Sequence, residues 1–437
     1  MKKVDAAIIG GGLAGLIAAN DLAEAGKRVV LLEKAGRVGG RAVTNERNGA
    51  RFNLGGHALY KEGELNAILN EYGIRPEGGS PPASGFAIWR NQAVPLPGDP
   101  FKLILSKLMS WSGKMELGRL MLALGKIDAG SLPACSLREW AEKEVRDPMV
   151  RHLFYALCRT GTYTYDPDHQ LAGPALKQMQ RSLKGGVHYA NGGWQTIADG
   201  LRERAVRLGA DVLCGSGVAE IRHDGGAVRG LTLANGETLE AGHVLTAMSP
   251  AEAYRLVRGV EHTALRRWKE EARPALAACL DLSLKRLPSP NCHFAIGIDQ
   301  PVFFTNHSRV AKLSDDGTMV VHLIKYNGTG EQDPKADERL LEQTMHLLHP
   351  GWQREVVARQ YLPNMTVVHD YPHIGRNGSL PGPAVPEIRG LYVAGDWASH
   401  GELLADAAAA SGRRAAASIV KELDAARSLS VQGAALV

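Results

Sequence analysis

A cluster of glycines near the start of the chain is the first group of residues whose spacing predicts chemistry. Gly10, Gly12 and Gly15 follow an apolar run, and apolar residues at helical spacing begin directly after them. Gly10 permits a tight turn, Gly12 lets the backbone approach a pyrophosphate, and Gly15 lets a helix pack closely on a sheet. The N-terminus of that helix would offer free N–H groups to phosphate oxygens. The spacing therefore predicts a dinucleotide site.

An acid at the end of the next apolar run completes this pattern. Val29–Leu32 predicts a buried strand, and Glu33 follows it directly. A carboxylate at this place accepts hydrogen bonds from ribose hydroxyls and repels a 2′-phosphate, which disfavours NADP. Strand, glycine turn, helix, strand and acid together predict a βαβ unit that binds an adenine dinucleotide.

A second glycine pair, followed by an arginine, distinguishes an FAD site from an NAD site. Gly39 and Gly40 precede Arg41, which adds another close backbone approach and a charge-assisted donor for phosphates. With this segment the sequence resembles the FAD-dependent amine oxidase and phytoene desaturase superfamily, which includes protoporphyrinogen oxidase. The resemblance implies that FAD is the dinucleotide.

Three later segments extend the resemblance along the chain. Phe52–His57 resembles the family's segment beneath the flavin, with Asn53 where an acid is usual. The stretch around Val218 resembles the second FAD segment, whose backbone holds the adenine. Gly390–Asp396 resembles the closing motif, in which the acid matching Asp396 hydrogen-bonds the ribityl–pyrophosphate region.

An alanine-rich helical pattern follows the closing motif. By the resemblance, small residues such as Ala405 would let the helix N-terminus approach the isoalloxazine, where its positive end stabilises negative charge on the reduced flavin. The last cysteine is Cys292, so we expect FAD to be bound without a covalent bond. The resemblance assigns FAD binding to Gly10, Gly12, Leu13, Ala14, Gly15, Glu33, Lys34, Gly39, Gly40, Arg41, Gly55, Gly56, His57, Val218, Gly395, Asp396, Leu404 and Ala405.

The order of these segments predicts an α/β fold. We expect a Rossmann-like FAD-binding domain of the glutathione-reductase type, with a mixed sheet, and an inserted α+β substrate domain. The FAD-binding domain is predicted to comprise residues 1–90, 189–251 and 385–437. The substrate domain is predicted to comprise residues 91–188 and 252–384.

Two enzymatic hypotheses follow from the resemblance, which implies hydride transfer from a C–C or C–N bond to flavin N5. An amine oxidase, which forms an imine and hydrogen peroxide, would place an aromatic pair around the amine and a lysine near N5. Ala277–Leu284 contains no lysine, and Leu403–Leu404 offers no aromatic ring. We therefore favour a desaturase-like dehydrogenase of an apolar small molecule, with oxygen or a quinone as electron acceptor. The alternative from another class is a non-redox isomerase or binding protein that uses FAD.

Candidate catalytic residues are few. His57 is the first candidate for a polar group near the flavin, followed by Trp397 and His400 beside the closing strand. The polar cluster Tyr163–His169 would either line the substrate cavity or mark a change from helix to loop. No histidine pair has the HExxH form, so no metal site is expected.

The stretch Phe101–Lys126 mixes Leu, Met and Trp with five basic residues and one acid. One hypothesis is a basic amphipathic surface that contacts a membrane or admits an apolar substrate. The other is a pair of packed helices in a domain core, broken near Ser112–Gly113.

Composition limits the remaining classes. The 437 residues carry a net charge of +5 with 44% hydrophobic and 22% charged residues, which excludes disorder and gives no indication of nucleic-acid binding. Five scattered cysteines without a CxxC pair indicate a reducing compartment rather than disulfides or zinc. No apolar run reaches the length of a membrane-spanning helix. We expect a cytoplasmic protein, and the hypothesis of a peripheral contact to membranes rests on Phe101–Lys126. Fifty glycines remain the compositional anomaly.

Overall fold

The structure, a computed structural model, describes residues 3–82, 84–97, 100–376 and 380–434. The termini of the predicted FAD-binding ranges, residues 1–2 and 435–437, lie outside the described residues. The strands are β1 (Lys3–Ile9), β2 (Val29–Leu32), β3 (Thr44–Arg47), β4 (Ala50–Asn53), β5 (Leu59–Tyr60), β6 (Gly78–Gly79), β7 (Phe86–Trp89), β8 (Gln92–Pro95), β9 (Val187–Ala190), β10 (Asp211–Leu213), β11 (Val218–Asp224), β12 (Ala227–Leu233), β13 (Thr238–Thr246), β14 (Ala275–Leu284), β15 (Phe294–Gly297), β16 (Val302–Asn306), β17 (Met319–Asn327), β18 (Val356–Val368) and β19 (Leu391–Val393).

The helices alternate with these strands along much of the chain. They are α1 (Leu13–Glu24), α2 (Glu64–Glu71), α3 (Pro100–Leu105), α4 (Trp111–Leu124), α5 (Leu137–Glu144), α6 (Pro148–Thr162), α7 (Ala172–Gly185), α8 (Gln195–Arg207), α9 (Pro250–Arg255), α10 (Ala264–Glu271), α11 (Pro334–Leu348) and α12 (Leu404–Ala434). Among the described residues no helix is both long and apolar enough to cross a bilayer.

The chain divides into two compact units. Unit 1 comprises Met1–Val43, Ile197–Ala272 and Asn377–Val437, and unit 2 comprises Thr44–Thr196 and Arg273–Arg376. The predicted FAD-binding domain extended to residue 90, whereas residues 44–90 pack within unit 2. The reason is strand pairing, because β5 pairs with β9 and β7 pairs with β15. FAD contacts from residues 44–90 stay a prediction.

Unit 1 is built on a mixed seven-stranded sheet in the order β10-β2-β1-β13-β12-β11, with β19 also paired to β13. The strands β10, β2, β1, β13 and β19 are parallel, whereas β11, β12 and β13 form antiparallel pairs. The predicted α/β class with a mixed sheet is therefore confirmed. Helices α1 and α12 pack closely, since a Cβ atom at Gly412 would lie 2.3 Å from the Ala14 carbonyl oxygen.

Unit 2 contains a second seven-stranded sheet, in the order β18-β14-β17-β16-β15-β7-β8. Strand β14, which lies between β18 and β17, is buried along almost its whole length. Side chains alternate between the two faces of a strand. On β14 and β17 one face carries Leu280, Leu282 and Leu323, which pack with α11. The opposite face carries Cys279, His322 and the buried Asp281.

The stretch Phe101–Lys126 forms the two helices α3 and α4 of unit 2. The break between them lies at residues 106–110, before the predicted position at Ser112–Gly113. The reason is an N-cap, because the Ser110 hydroxyl accepts a hydrogen bond of 3.2 Å from the Gly113 N–H and starts α4 there. The prediction of a helix break was right, but its position was wrong.

Candidate cofactor and active site

The predicted FAD-binding residues fall into two groups, one in each unit. In unit 1 the glycine turn follows β1. A Cβ atom at Gly10 would lie 2.6 Å from the Ala247 carbonyl oxygen, and one at Gly15 would lie 2.0 Å from the Gly10 carbonyl oxygen. The fold itself therefore requires glycine at these two positions. At Gly12, however, a Cβ atom would meet nothing within 4 Å, so this glycine leaves open space before the helix.

The N-terminus of α1 borders that open space. Gly12 is the N-cap, no side chain caps the helix, and its first turn contains no acidic residue. The positive end of the helix, where Leu13 and Ala14 lie, is therefore not neutralised by a carboxylate of its own first turn. The second glycine pair packs on the first, because the Gly39 N–H donates to the Gly11 carbonyl at 2.8 Å and Gly40 approaches the Gly12 Cα.

Glu33 is held at the same turn. Its carboxylate is buried and accepts hydrogen bonds from the backbone N–H groups of Gly11, at 2.7 Å, and Ala35, at 2.8 Å. The neighbouring Lys34 pairs with Glu252 at 3.1 Å. The strand that starts at Val218 begins near this acid, since the Ser216 N–H donates to the Glu33 carbonyl.

The closing segment, Gly390–Asp396, contacts the Gly39–Arg41 segment through an ion pair. Asp396 is 3% exposed, and the Arg41 guanidinium contacts its carboxylate at 2.5 and 3.3 Å. The arginine itself is 38% exposed. Gly395 is tied to α12, because the Ser411 hydroxyl accepts its N–H and donates to its carbonyl.

The start of α12 is strained. Leu404 has a φ of +57°, in a left-handed region that residues other than glycine rarely adopt. Such strain clusters at functional sites. Leu404 and Ala405 lie at the helix end that the resemblance assigns to the flavin.

The residues of unit 1 fit an extended dinucleotide. Helix N–H groups and the partly exposed Arg41 suit a pyrophosphate, and the Glu33 and Asp396 carboxylates suit ribose and ribityl hydroxyls. The open space at Gly12 is a cradle that any larger residue would fill.

In unit 2 the segment predicted to run beneath the flavin lies directly on the sheet. A Cβ atom at Gly55 would lie 2.8 Å from Cys279 Sγ, and one at Gly56 would lie 3.1 Å from Ile324 Cδ1. The Tyr163 hydroxyl donates to the Gly56 carbonyl at 2.7 Å. Burial raises the pKa of Tyr163 well above its usual value, so this donor stays protonated.

His57 is fixed by two contacts. Its Nδ1 donates to the Gly55 carbonyl at 3.1 Å, and its ring meets Trp194 edge-on at 5.0 Å between centroids. His57 is partly exposed. A catalytic role for His57 stays a prediction.

The other two catalytic candidates lie in unit 1. Trp397 is 2% exposed, packs in the core against Trp268, and donates its Nε1–H to the Met248 carbonyl at 2.7 Å. His400 contacts the Pro381 carbonyl, and burial together with Arg414 lowers its pKa. These contacts give Trp397 a packing function, and catalytic roles for both stay predictions.

A buried polar cluster in unit 2 was missed by the sequence reasoning. His322 Nδ1 donates to Asp281 at 2.7 Å, and both side chains are fully buried. Gln360 donates to the other Asp281 oxygen at 3.0 Å, and the His322 ring meets His307 at 4.3 Å between centroids. Asp281 and His322 each lie inside an apolar run of the sequence, which was the available signal for a buried polar pair. The sequence did not show that β14 and β17 pair.

The sheet beside Gly55 offers no lysine. On β14 the position nearest Gly55 is Cys279. Lys325 on β17 pairs with Asp337 of α11 at 2.8 Å, and that helix covers the opposite face of the sheet.

The cluster Tyr163–His169 divides in the structure. Only Tyr163 has a described contact with the Gly55–His57 segment, whereas Asp166 bonds His169 at 2.9 Å and the Tyr371 hydroxyl at 2.6 Å. Within the part of the chain that the structure describes, no group of three His, Cys, Asp or Glu residues could hold a metal ion.

Comparison with known proteins relates this geometry to a family. A model of the family described as flavin containing amine oxidoreductase matches residues 13–420. A Mycobacterium tuberculosis protein named as a flavin-containing monoamine oxidase is 28% identical over 272 residues, which is 57% of each chain. The alignment thus spans little more than half of that relative. A 4,4'-diapolycopene oxygenase of a Methylomonas species is 24% identical over 81% of this chain and 78% of its own.

Among solved structures, cyclohexylamine oxidase from Brevibacterium oxydans has the same fold. It superimposes with a TM-score of 0.73 at 18% identity, covering 97% of this chain and 100% of its own. The family model covers most of the sequence in one match. The chain therefore belongs to the flavin-containing amine oxidoreductase family, whose members are FAD-dependent oxidoreductases.

Proposed function

We propose that the protein is an FAD-dependent dehydrogenase that removes a hydride equivalent from a C–C bond of an apolar small molecule. In this proposal the Gly10–Gly15 turn, Gly39–Arg41, Glu33 and Asp396 hold the dinucleotide, and Gly55–His57 runs beneath the flavin. The Val218 backbone holds the adenine. Bound FAD supplies a two-electron acceptor at N5.

The observation that carries the choice of reaction is the side chain nearest Gly55. The segment Ala277–Leu284 of β14 contains no lysine, and the side chain nearest Gly55 is Cys279. Burial together with Asp281 raises the pKa of the Cys279 thiol. A neutral thiol beside Ile324 suits an apolar substrate better than an ammonium group. Leu403 and Leu404, which replace an aromatic residue before Ala405, support the same choice.

Two residues of unit 2, Tyr163 and Trp194, would hold the Gly55–His57 segment in one conformation. The Tyr163 hydroxyl fixes the Gly56 carbonyl, and Trp194 with the Gly55 carbonyl fixes the His57 ring. The apolar contact with Cys279 buries Gly55, whereas Gly56 and His57 stay partly exposed to a ligand. Such preorganisation holds a substrate carbon in one position.

Reoxidation tests this proposal against its alternatives. The FAD-loaded protein is reduced anaerobically by light and then mixed with oxygen or with a quinone. We expect rapid reoxidation by the quinone and slow reoxidation by oxygen. Rapid reoxidation by oxygen would favour an oxidase instead. Failure of both acceptors, although a substrate binds, would favour the non-redox class.

Amine oxidation is the second candidate function. It is supported by two similar proteins, the M. tuberculosis protein named as a monoamine oxidase and cyclohexylamine oxidase. A burst of hydrogen peroxide with a primary amine as the only added substrate would establish it.

We also propose that residues 100–126, here called the α3–α4 surface, contact an anionic membrane. Large apolar side chains are exposed there, including Phe101 at 70%, Trp111 at 63% and Leu122 at 74%. The single acid, Glu116, accepts the backbone N–H groups of residues 146 and 147. Apolar side chains among basic ones are typical of helices that lie in the membrane interface. The basic residues are Lys102, Lys107, Lys114, Arg119 and Lys126.

Vesicle sedimentation tests the membrane contact. We expect the protein to sediment with vesicles that contain phosphatidylglycerol, and less so as salt is raised. The double variant Leu105→Ser/Leu122→Ser should lose most of this binding. The matched control Leu183→Ser/Leu208→Ser changes two exposed leucines elsewhere and should bind as the wild type does. Equal binding of both variants would refute the proposed surface.

A further inference from the structure

Four titratable side chains of unit 2 lie close to the Gly55–His57 segment without a function in the scheme above. Asp281 and His322 form a pair of 2.7 Å, and the His307 ring meets His322 at 4.3 Å and stacks on Tyr189 at 3.7 Å between centroids. Gly56 touches this cluster directly, since a Cβ atom there would lie 3.6 Å from His322 Cβ.

The hydrogen bonds define the tautomer of His322. Its Nδ1 donates to Asp281, so Nε2 is the basic nitrogen of the neutral ring. Nε2 has no hydrogen-bond partner among the described residues, although the side chain is fully buried. Leaving a buried polar atom unpaired destabilises the fold. A base kept at this cost is a candidate for a functional group.

The carboxylate is arranged to stabilise a positive charge on this ring. Both oxygens of Asp281 accept hydrogen bonds, one from His322 and one from Gln360, and Gln360 is itself fixed by the Asn53 carbonyl at 3.0 Å. No cation of an arginine or lysine has a described ion pair with Asp281. An imidazolium at His322 would therefore be the charge that balances this carboxylate.

The neighbouring groups do not compete for the proton. Burial lowers the pKa of His307 well below its usual value, and His322 and His57 lower it further by repulsion. Burial raises the pKa values of Tyr163, Tyr189 and Cys279, so these groups keep their protons near neutral pH. His322 contacts Asp281 on β14 and His307 after β16 directly. Gln360 on β18 bonds Asp281, Tyr189 on β9 stacks on His307, and His57 acts on His307 electrostatically. Tyr163 and Cys279 contact the adjacent Gly56 and Gly55.

We propose that the Asp281–His322 pair is the proton-storing group of the flavin site, with His322 Nε2 binding a proton when the bound flavin is reduced. This inference rests on the proposed place of Gly55–His57 beneath the flavin. Asp281 is then a positioning residue, because it acts through His322.

The step balances with the substrate, the bound flavin and the electron acceptor of the proposed function. Oxidation of adjacent C–H bonds to C=C releases one hydride, whose electron pair reduces the flavin, and one proton. The proton binds His322 Nε2 and gives an imidazolium beside the Asp281 carboxylate. When a quinone takes up the two electrons it becomes a quinol, whose two protons are the one that came with the hydride and the one released by His322.

Proton counting tests this inference without any substrate. The FAD-loaded protein is photoreduced anaerobically in weakly buffered solution with a pH indicator, and the protons bound per flavin are measured across the neutral range. We expect His322→Asn to bind about one proton fewer than the wild type. Asparagine keeps a donor to Asp281 but holds no proton. Asp281→Asn should reduce proton binding as well, and it replaces the first variant if that one does not fold.

The matched control is His349→Asn. His349 is equally buried, packs against Phe304 in the cluster on the opposite face of the sheet, and also has an unpartnered Nε2 among the described residues. This variant should bind as many protons as the wild type. Unchanged proton binding in folded, FAD-loaded His322→Asn would overturn the inference. So would a wild-type protein that binds only the flavin's own proton. A protein that holds no FAD, or that no substrate reduces, would instead overturn the proposed function.

Discussion

At the scale of single residues, two glycines of one helical turn have different functions. Gly15 is required by packing, since its Cβ position lies 2.0 Å from a carbonyl oxygen, whereas Gly12 faces open space. The sequence motif predicts the same division, because it gives Gly12 the approach to the pyrophosphate and Gly15 the close packing of the helix.

This difference gives a prediction for Gly12→Ala. The backbone φ of −75° at Gly12 suits alanine, so the FAD-free protein should unfold at the wild-type temperature. The added methyl group would fill the cradle. We expect the dissociation constant for FAD to rise about tenfold or more, which is a loss of about 1.4 kcal/mol or more of binding free energy. Equilibrium titration with FAD measures this. Gly15→Ala is the comparison and should destabilise the FAD-free protein. Wild-type FAD affinity in Gly12→Ala would contradict the cradle.

A buried histidine makes stability depend on pH. Burial lowers the pKa of His349 from its usual 6.5 to about 4, and its Nδ1 accepts the Ser289 N–H. The unfolded chain therefore binds a proton that the folded chain does not, and stability falls as pH drops from about 6.5 towards 4. Between neutral pH and about pH 5 this group accounts for about 2 kcal/mol.

The variant His349→Asn isolates this contribution. Its free energy of unfolding in urea should fall less than that of the wild type when the pH is lowered from about 7 to about 5. Its stability at neutral pH should be lower than that of the wild type, because the ring packs against Phe304. An identical loss of stability in both proteins would assign the pH dependence to other groups.

At the scale of elements, the sequence patterns correctly predicted those strands and helices that depend on neighbouring residues. The predicted strand Val29–Leu32 coincides with β2, and the glycine turn with its helix is α1. The pairing of β14 with β17 was not predictable, because it joins Asp281 and His322 across 41 positions of the sequence. Strand register is set by tertiary contacts. The cofactor motifs were therefore recognisable, whereas the polar cluster was not.

The contact between α1 and α12 gives an element-scale prediction. Gly412→Ala would place a methyl group 2.3 Å from the Ala14 carbonyl oxygen, and we expect a loss of about 1–3 kcal/mol from overpacking. Gly118→Ala is the matched control, since it lies inside α4 with nothing within 4 Å of its Cβ position. There the higher helix propensity of alanine should stabilise the protein slightly. Thermal unfolding of both variants measures these effects. A Gly412→Ala protein that unfolds at the wild-type temperature would refute the close packing.

At the scale of the whole molecule, the glycine excess has a specific explanation. Several glycines lie in the blocks at 10–12, 39–40, 55–56 and 395, where the backbone turns sharply or another segment approaches closely. The predicted substrate domain carries no such motif, and the side chains that favour one reaction come together only in the fold. The cofactor is therefore better determined than the substrate.

One measurement tests the central claim most directly. The FAD-loaded protein is mixed anaerobically with an isoprenoid polyene precursor or with a primary amine such as cyclohexylamine, and the absorbance of oxidised flavin is followed. The proposed function predicts that the apolar hydrocarbon bleaches the flavin and that the amine leaves it oxidised. Rapid bleaching by the amine, with no response to the hydrocarbon, would contradict it.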